Sequence, residues 1–101
     1  MLTSKQRAFL RSMAASIAPV VQIGKGGATP EVVSSVEEAL AARELIKVNV
    51  LDNCMEDVRD ISGVISERTR SDVVQVIGRK IVLYRPAKKP VIELPKIKKQ
   101  S

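Results

Sequence analysis

Between Val20 and Pro30 the chain reads Val-Val-Gln-Ile-Gly-Lys-Gly-Gly-Ala-Thr-Pro, and this junction constrains the fold more than any other stretch. An apolar run of strand character meets a Gly-x-x-Gly turn, and a helix start follows at once. Thr29 is a favourable N-cap, Pro30 suits the first helical position, and Glu31 suits the positive end of the helix. Strands that alternate with helices need crossover connections, so the junction selects an α/β architecture. The same geometry limits the chemistry. Glycines let a backbone come close to a ligand and take positive φ without steric cost. A helix N-terminus presents unpaired N–H groups and partial positive charge. With Lys25 at its tip, the turn Gly24-Lys25-Gly26-Gly27 is a compact site for a phosphate.

Helical and strand periodicities alternate along the rest of the chain. Thr3 or Ser4 can cap a first helix that Pro19 stops, predicted to run to about Ala18, with Leu2, Phe9, Leu10, Met13 and Ile17 on one face and Arg7 and Arg11 on the other. Val20–Ile23 reads as a short strand. The next helix carries the stripe Val32, Val33, Val36, Ala39 and Leu40 and ends near Arg43. Leu45–Leu51 alternates as a strand, Ile46, Val48 and Val50 opposing Lys47 and Asn49. Asp52 or Asn53 can cap a third helix with the stripe Cys54, Val58, Ile61 and Ile65, locally weakened by Gly63. Asp72–Ile77 and Lys80–Tyr84 form a predicted hairpin around Gly78-Arg79. Val91–Leu94, between Pro90 and Pro95, reads as a candidate short edge strand. The expected architecture is therefore α-β-α-β-α-β-β, a two-layer α/β sandwich with a mixed four-stranded sheet. One domain over residues 1–95 and a solvated basic tail over 96–101 are expected.

The 101 residues contain no His and one Cys, which removes most metal sites, disulfides and activated nucleophiles. Cys54 reads as a buried or incidental thiol in a reducing, cytoplasmic setting. Acids such as Glu37, Glu38, Asp57 and Asp60 have the spacing of solvated helix surfaces, and no nucleophile motif accompanies them. No enzyme, metal, cofactor or small-molecule substrate is predicted. No apolar run approaches the roughly 20 residues that span a bilayer.

Charge is polarised. Residues 1–25 carry Lys5, Arg7, Arg11 and Lys25 and no acid, residues 26–78 carry ten acids against five bases, and residues 79–101 carry eight bases against Glu93 alone. A polyanion is the natural partner for the basic ends. Arg7 and Arg11 stand four residues apart, and a phosphate would relieve their mutual repulsion. Arg79, Lys80 and Arg85 suggest a basic rim on the sheet. Aromatics are limited to Phe9 and Tyr84, so a sheet that stacks several bases on aromatic platforms is excluded. The candidate RNA contacts are thus Gly24, Lys25, Gly26 and Gly27 with Lys5, Arg7, Arg11, Arg79, Lys80 and Arg85. A different class of function remains open at this stage: an adaptor that docks protein partners through its acidic second and third helices.

Several stretches, taken in order, resemble a known family. These are Leu2-Thr3-Ser4-Lys5-Gln6-Arg7, Pro19 to Gly27, Glu44-Leu45-Ile46-Lys47-Val48, Val74 to Pro86, and Ile92-Glu93-Leu94-Pro95. The chain resembles the stand-alone CRM domains of bacteria, the YhbY-like proteins. The resemblance implies a fold similar to the C-terminal domain of translation initiation factor three. It also implies binding to ribosomal RNA in the precursor large subunit, through the Gly-x-x-Gly loop and the basic first helix, without catalysis, and a monomer is expected. The chain departs from the family pattern at Ala28, where a larger apolar residue is common. It departs again at Arg70-Ser71, which replaces a small Gly-Ala turn and leaves the end of the third helix open.

Overall fold

The computed structural model describes residues 2–95, so the predicted tail at 96–101 lies outside the described residues. The elements are α1 (Ser4–Ala14), β1 (Val21–Ile23), α2 (Pro30–Arg43), β2 (Leu45–Val50), α3 (Val58–Thr69), β3 (Asp72–Ile77) and β4 (Lys80–Tyr84). They form one mixed sheet in the order β1-β2-β4-β3. β1 runs parallel to β2 through the α2 crossover, and β4 lies antiparallel between β2 and β3.

Strand alternation sends each sheet face to different helices, so the sheet lies between α1 on one side and α2 and α3 on the other, three layers where two are expected from the sequence. Ile46, Val48, Val50, Ile81, Leu83, Val21 and Ile23 join Val36 and Leu40 of α2 and Ile61 and Ile65 of α3 in the larger core. Leu45, Val74, Val82 and Tyr84 point the other way and pack under Leu10 and Ala14 of α1. Burying each Leu or Ile side chain is worth about 1.5–3 kcal/mol, and this double burial fixes the central strands β2 and β4. Tyr84 is part of the smaller core. Burial raises its pKa above the ordinary tyrosine value, and the Glu44 and Asp72 charges add to the rise.

Five local expectations change. α1 ends at Ala14 rather than near Ala18, because Ser16 and Ile17 donate to the carbonyls of Met13 and Ala14 in tight turns that bring Ile17 back onto the smaller core. Phe9 and Met13 consequently stay at the margin, 37% and 36% exposed, instead of in the core stripe. α3 is capped by Asp57, whose carboxylate accepts the Arg59 N–H at 2.8 Å, and not by Asp52 or Asn53. Cys54 is buried from the preceding loop. Finally, Val91–Leu94 forms no strand: the N–H groups of Val91 and Ile92 donate to the Glu44 carboxylate instead of to a sheet edge.

Candidate nucleic-acid interface

β1 delivers its chain end to the Gly-x-x-Gly turn, and Leu51 donates its N–H to the Ile23 carbonyl at 2.8 Å, which fixes the exit. The turn closes when Gly27 donates to the Gly24 carbonyl at 3.0 Å. Gly27 has φ +69°, a conformation that favours glycine. Thr29 then caps α2: its N–H binds the Gly27 carbonyl, its hydroxyl accepts the Val32 N–H at 3.2 Å, and Pro30 opens the helix. The Gly27 N–H is therefore committed inside the turn. Among the described residues the tip N–H groups of Lys25 and Gly26 donate to no acceptor, and both residues are exposed, so the anion-binding capacity of the turn is open to solvent.

Two further groups border this turn. The Glu56 carboxylate lies against the α-carbon of Gly27, where a side chain would otherwise stand. Arg79, at the β3–β4 turn, donates from Nε to the Val50 carbonyl at 3.0 Å and from Nη2 to the carbonyls of Leu51 (2.6 Å) and Cys54 (3.1 Å). It also meets Asp52 at 3.6 Å. Its role in the fold is to hold the 51–54 loop beside the turn.

The predicted basic residues divide into two groups. Arg7, Arg79 and Arg85 are half-buried and bind the protein itself with part of their guanidinium donors, Arg7 and Arg85 through Nη1 and Arg79 through Nε and Nη2. Arg7 donates to the carbonyls of Val73 and Val74, tying α1 to β3. Arg85 binds Glu37 and the Thr69 carbonyl, tying the end of β4 to α2 and α3. By contrast, Lys5, Arg11, Lys25 and Lys80 are exposed, and among the described residues none forms an ion pair. Lys47 was not among the predicted contacts. It lies half-buried on the α1 side of β2, where it lines a groove of about 470 Å³ together with Arg11, Ser12 and Gln75. The alternation of β2 already placed Lys47 and Asn49 on the polar side of that strand. Glu56 was missed as well, and no spacing in the chain announces its contact with Gly27.

Fold and site define a small α/β module with an exposed glycine turn at a helix start, Lys25 at its tip, and further unpaired cations on α1 and β4. The chain belongs to the CRS1/YhbY (CRM) domain family, whose pattern matches residues 2–85. It is 50% identical over 96 residues to a Bacillus subtilis protein named "Probable RNA-binding protein YqeI", covering 94% of this chain and 100% of that one. A Haemophilus influenzae protein named "RNA-binding protein" is 40% identical over 95 residues, covering 94% and 96%. The solution structure of SAV1595 from Staphylococcus aureus, described as a candidate RNA-binding protein, superposes with a TM-score of 0.81 at 49% identity, covering 94% of this chain and 100% of that one. No helix among the described residues is long and apolar enough to cross a membrane.

Proposed function

We propose that this protein is a cytoplasmic RNA-binding module that grips structured ribosomal RNA by its backbone and acts in large-subunit assembly. The observation that carries the reading is the pairing of unspent N–H groups at Lys25 and Gly26 with the unpaired cations Lys5, Arg11, Lys25 and Lys80. A phosphate at the turn tip takes the two N–H donors and the start of α2, and the Lys25 ammonium supplies counter-charge. Gly24 and Gly27 shape the turn. Arg7, Arg79 and Arg85 act by positioning α1, the 51–54 loop and β4, and they contact RNA only with donors left over. The family resemblance and the names of the relatives support RNA as the partner, while the ribosomal address rests on the resemblance alone.

Binding to ribosomal RNA fragments tests this at low and moderate salt. Four neutralised phosphates give about a 10²-fold loss of affinity for a fourfold rise in salt. Lys25→Glu should weaken binding at least about tenfold, since it replaces a phosphate contact with repulsion. A flat salt response, or unchanged affinity in a folded Lys25→Glu protein, overturns the phosphate site. The assembly role predicts co-sedimentation with precursor large subunits, and its absence there removes that part of the proposal.

A further inference from the structure

α1 covers only part of its sheet face. The register places Gln22 opposite Asn49, Asn49 opposite Lys80 and Lys80 opposite Ile77, so one side-chain row crosses all four strands at the end that carries the Gly-x-x-Gly turn. The next row, Lys47–Val82–Gln75, lies at the foot of α1, with Arg11 and Ser12 as the wall. Gln22, Lys80 and Ile77 are exposed, Ile77 to 57%, and Lys47, Asn49 and Gln75 are half-buried.

A solvated protein surface ordinarily mixes acids and bases. The open strip holds Arg11, Lys47 and Lys80 and no carboxylate, and Asp72, the acid on the same face, stands at the far end opposite Tyr84. Besides the Ser12 hydroxyl in the wall, the strip's other polar groups are three amides, Gln22, Asn49 and Gln75. No buried side-chain N or O lacks a partner among the described residues, so the free amide atoms face solvent. An amide carries both a donor and an acceptor, which suits a base edge better than a phosphate. Ile77 adds an apolar contact at the end of the row.

We infer that this open strip of sheet is a second RNA-contact surface, which takes a single-stranded segment and reads its bases through the amides of Gln22, Asn49 and Gln75. The inference rests on the proposed RNA binding at the turn and specifies what lies beside it. Val20 pairs with Lys47 at the foot of α1, and Gly24 follows the end of β1. The path from Arg11 to the turn therefore crosses about 13 Å of strand at 3.3 Å per residue. An RNA that touches both cations passes over the amide row. The two rows are two residues apart, about 7 Å, and α1 rises about 10 Å above them. That step admits a single strand and excludes a double helix from the floor. Stacking platforms are absent, so discrimination comes from hydrogen bonds to base edges.

Chemical-shift mapping of the isotopically labelled protein, titrated with short homopolymeric oligoribonucleotides and with an RNA duplex of equal length, tests the inference. The expected result is that side-chain amide signals of Gln22, Asn49 and Gln75 move with single strands, and that the preferred single strand binds at least about tenfold tighter than the duplex. The combined variant Gln22→Ala, Asn49→Ala and Gln75→Ala should narrow discrimination among homopolymers from about tenfold to about twofold, with the salt slope kept. Movement of Lys25–Gly27 signals without the amides overturns the sheet surface and leaves the turn standing. Tighter duplex binding, or unchanged discrimination in the folded variant, also overturns it. If no signal moves with any RNA, both readings fall. Should the variant fail to fold, the map on the unmodified protein decides alone.

Discussion

Glu44 and Val91 are 47 residues apart in the chain, yet the Glu44 carboxylate accepts the Val91 N–H at 2.8 Å. The same carboxylate accepts from Ala87 at 2.8 Å and Ile92 at 2.9 Å, while the Glu44 carbonyl accepts from Arg85 at 2.9 Å. One buried acid at φ +65° thus ends α2, starts β2 and ties down residues 85–92. Burial alone pushes its pKa up, but the three N–H donors outweigh burial and hold it below the ordinary value. Its stabilisation is therefore complete above the unfolded glutamate pKa of about 4.3 and disappears as pH falls through the lower folded value. Glu44→Gln should cost about 2 kcal/mol near neutrality, the scale of hydrogen bonds to a charged group. Urea melts of both proteins should show a constant gap above about pH 5.5 that narrows below pH 4.

Gly26 and Gly27 should respond differently to alanine. Gly27→Ala forces a side chain into φ +69° and against Glu56. Glu56 is an exposed, flexible group that can move aside, so backbone strain of about 1–2 kcal/mol dominates the loss of stability. At Gly26 the added methyl stands 3.0 Å from the Thr29 methyl, a contact that small shifts relieve. Gly26→Ala should change thermal stability little and lower RNA affinity, because the methyl obstructs approach to the turn tip.

Glu56 places a negative charge directly beside the proposed phosphate site. Glu56→Gln should keep the fold and tighten RNA binding by about two- to fivefold, the worth of a surface charge interaction of about 0.5–1 kcal/mol. Fluorescence anisotropy at low salt checks this, and the gain should shrink as salt rises.

Arg70 closes α3 in the left-handed region, with φ 54° and ψ 44°. A helix exit of this kind favours glycine. The side chain of Arg70 is exposed, so Arg70→Gly loses no packing while relieving about 1 kcal/mol of strain. The variant should melt several degrees higher than the unmodified protein, with RNA binding unchanged.

Thr29, Pro30 and Glu31 made the start of α2 readable because each suits its position for a separate local reason, and the Gly78-Arg79 hairpin was readable from its flanking β-rich runs. The start of α3 was not, since Asp52, Asn53 and Asp57 are equally good caps by type. The choice is made by Arg79, which holds the 51–54 loop outside the helix. Charge located a basic surface without saying which cations are free. An arginine has five N–H donors, and whether they meet solvent or a distant carbonyl depends on contacts such as Arg7 with Val73, 66 residues away. Local pattern could not tell either that α1 takes the sheet face opposite α2 and α3.

The place of β4 between β2 and β3 sets a condition on synthesis. A chain emerging from the ribosome has made α1, the glycine turn and β2 well before residue 80, but β2 has only the three-residue β1 to pair with until β4 arrives. Closing the sheet waits for the last strand to insert, a non-local step that is slow compared with helix formation. The two ends of the proposed RNA path, α1 and the turn, become one rigid surface only then. The proposed RNA path is therefore complete only in a chain whose residues 80–84 have already joined the sheet.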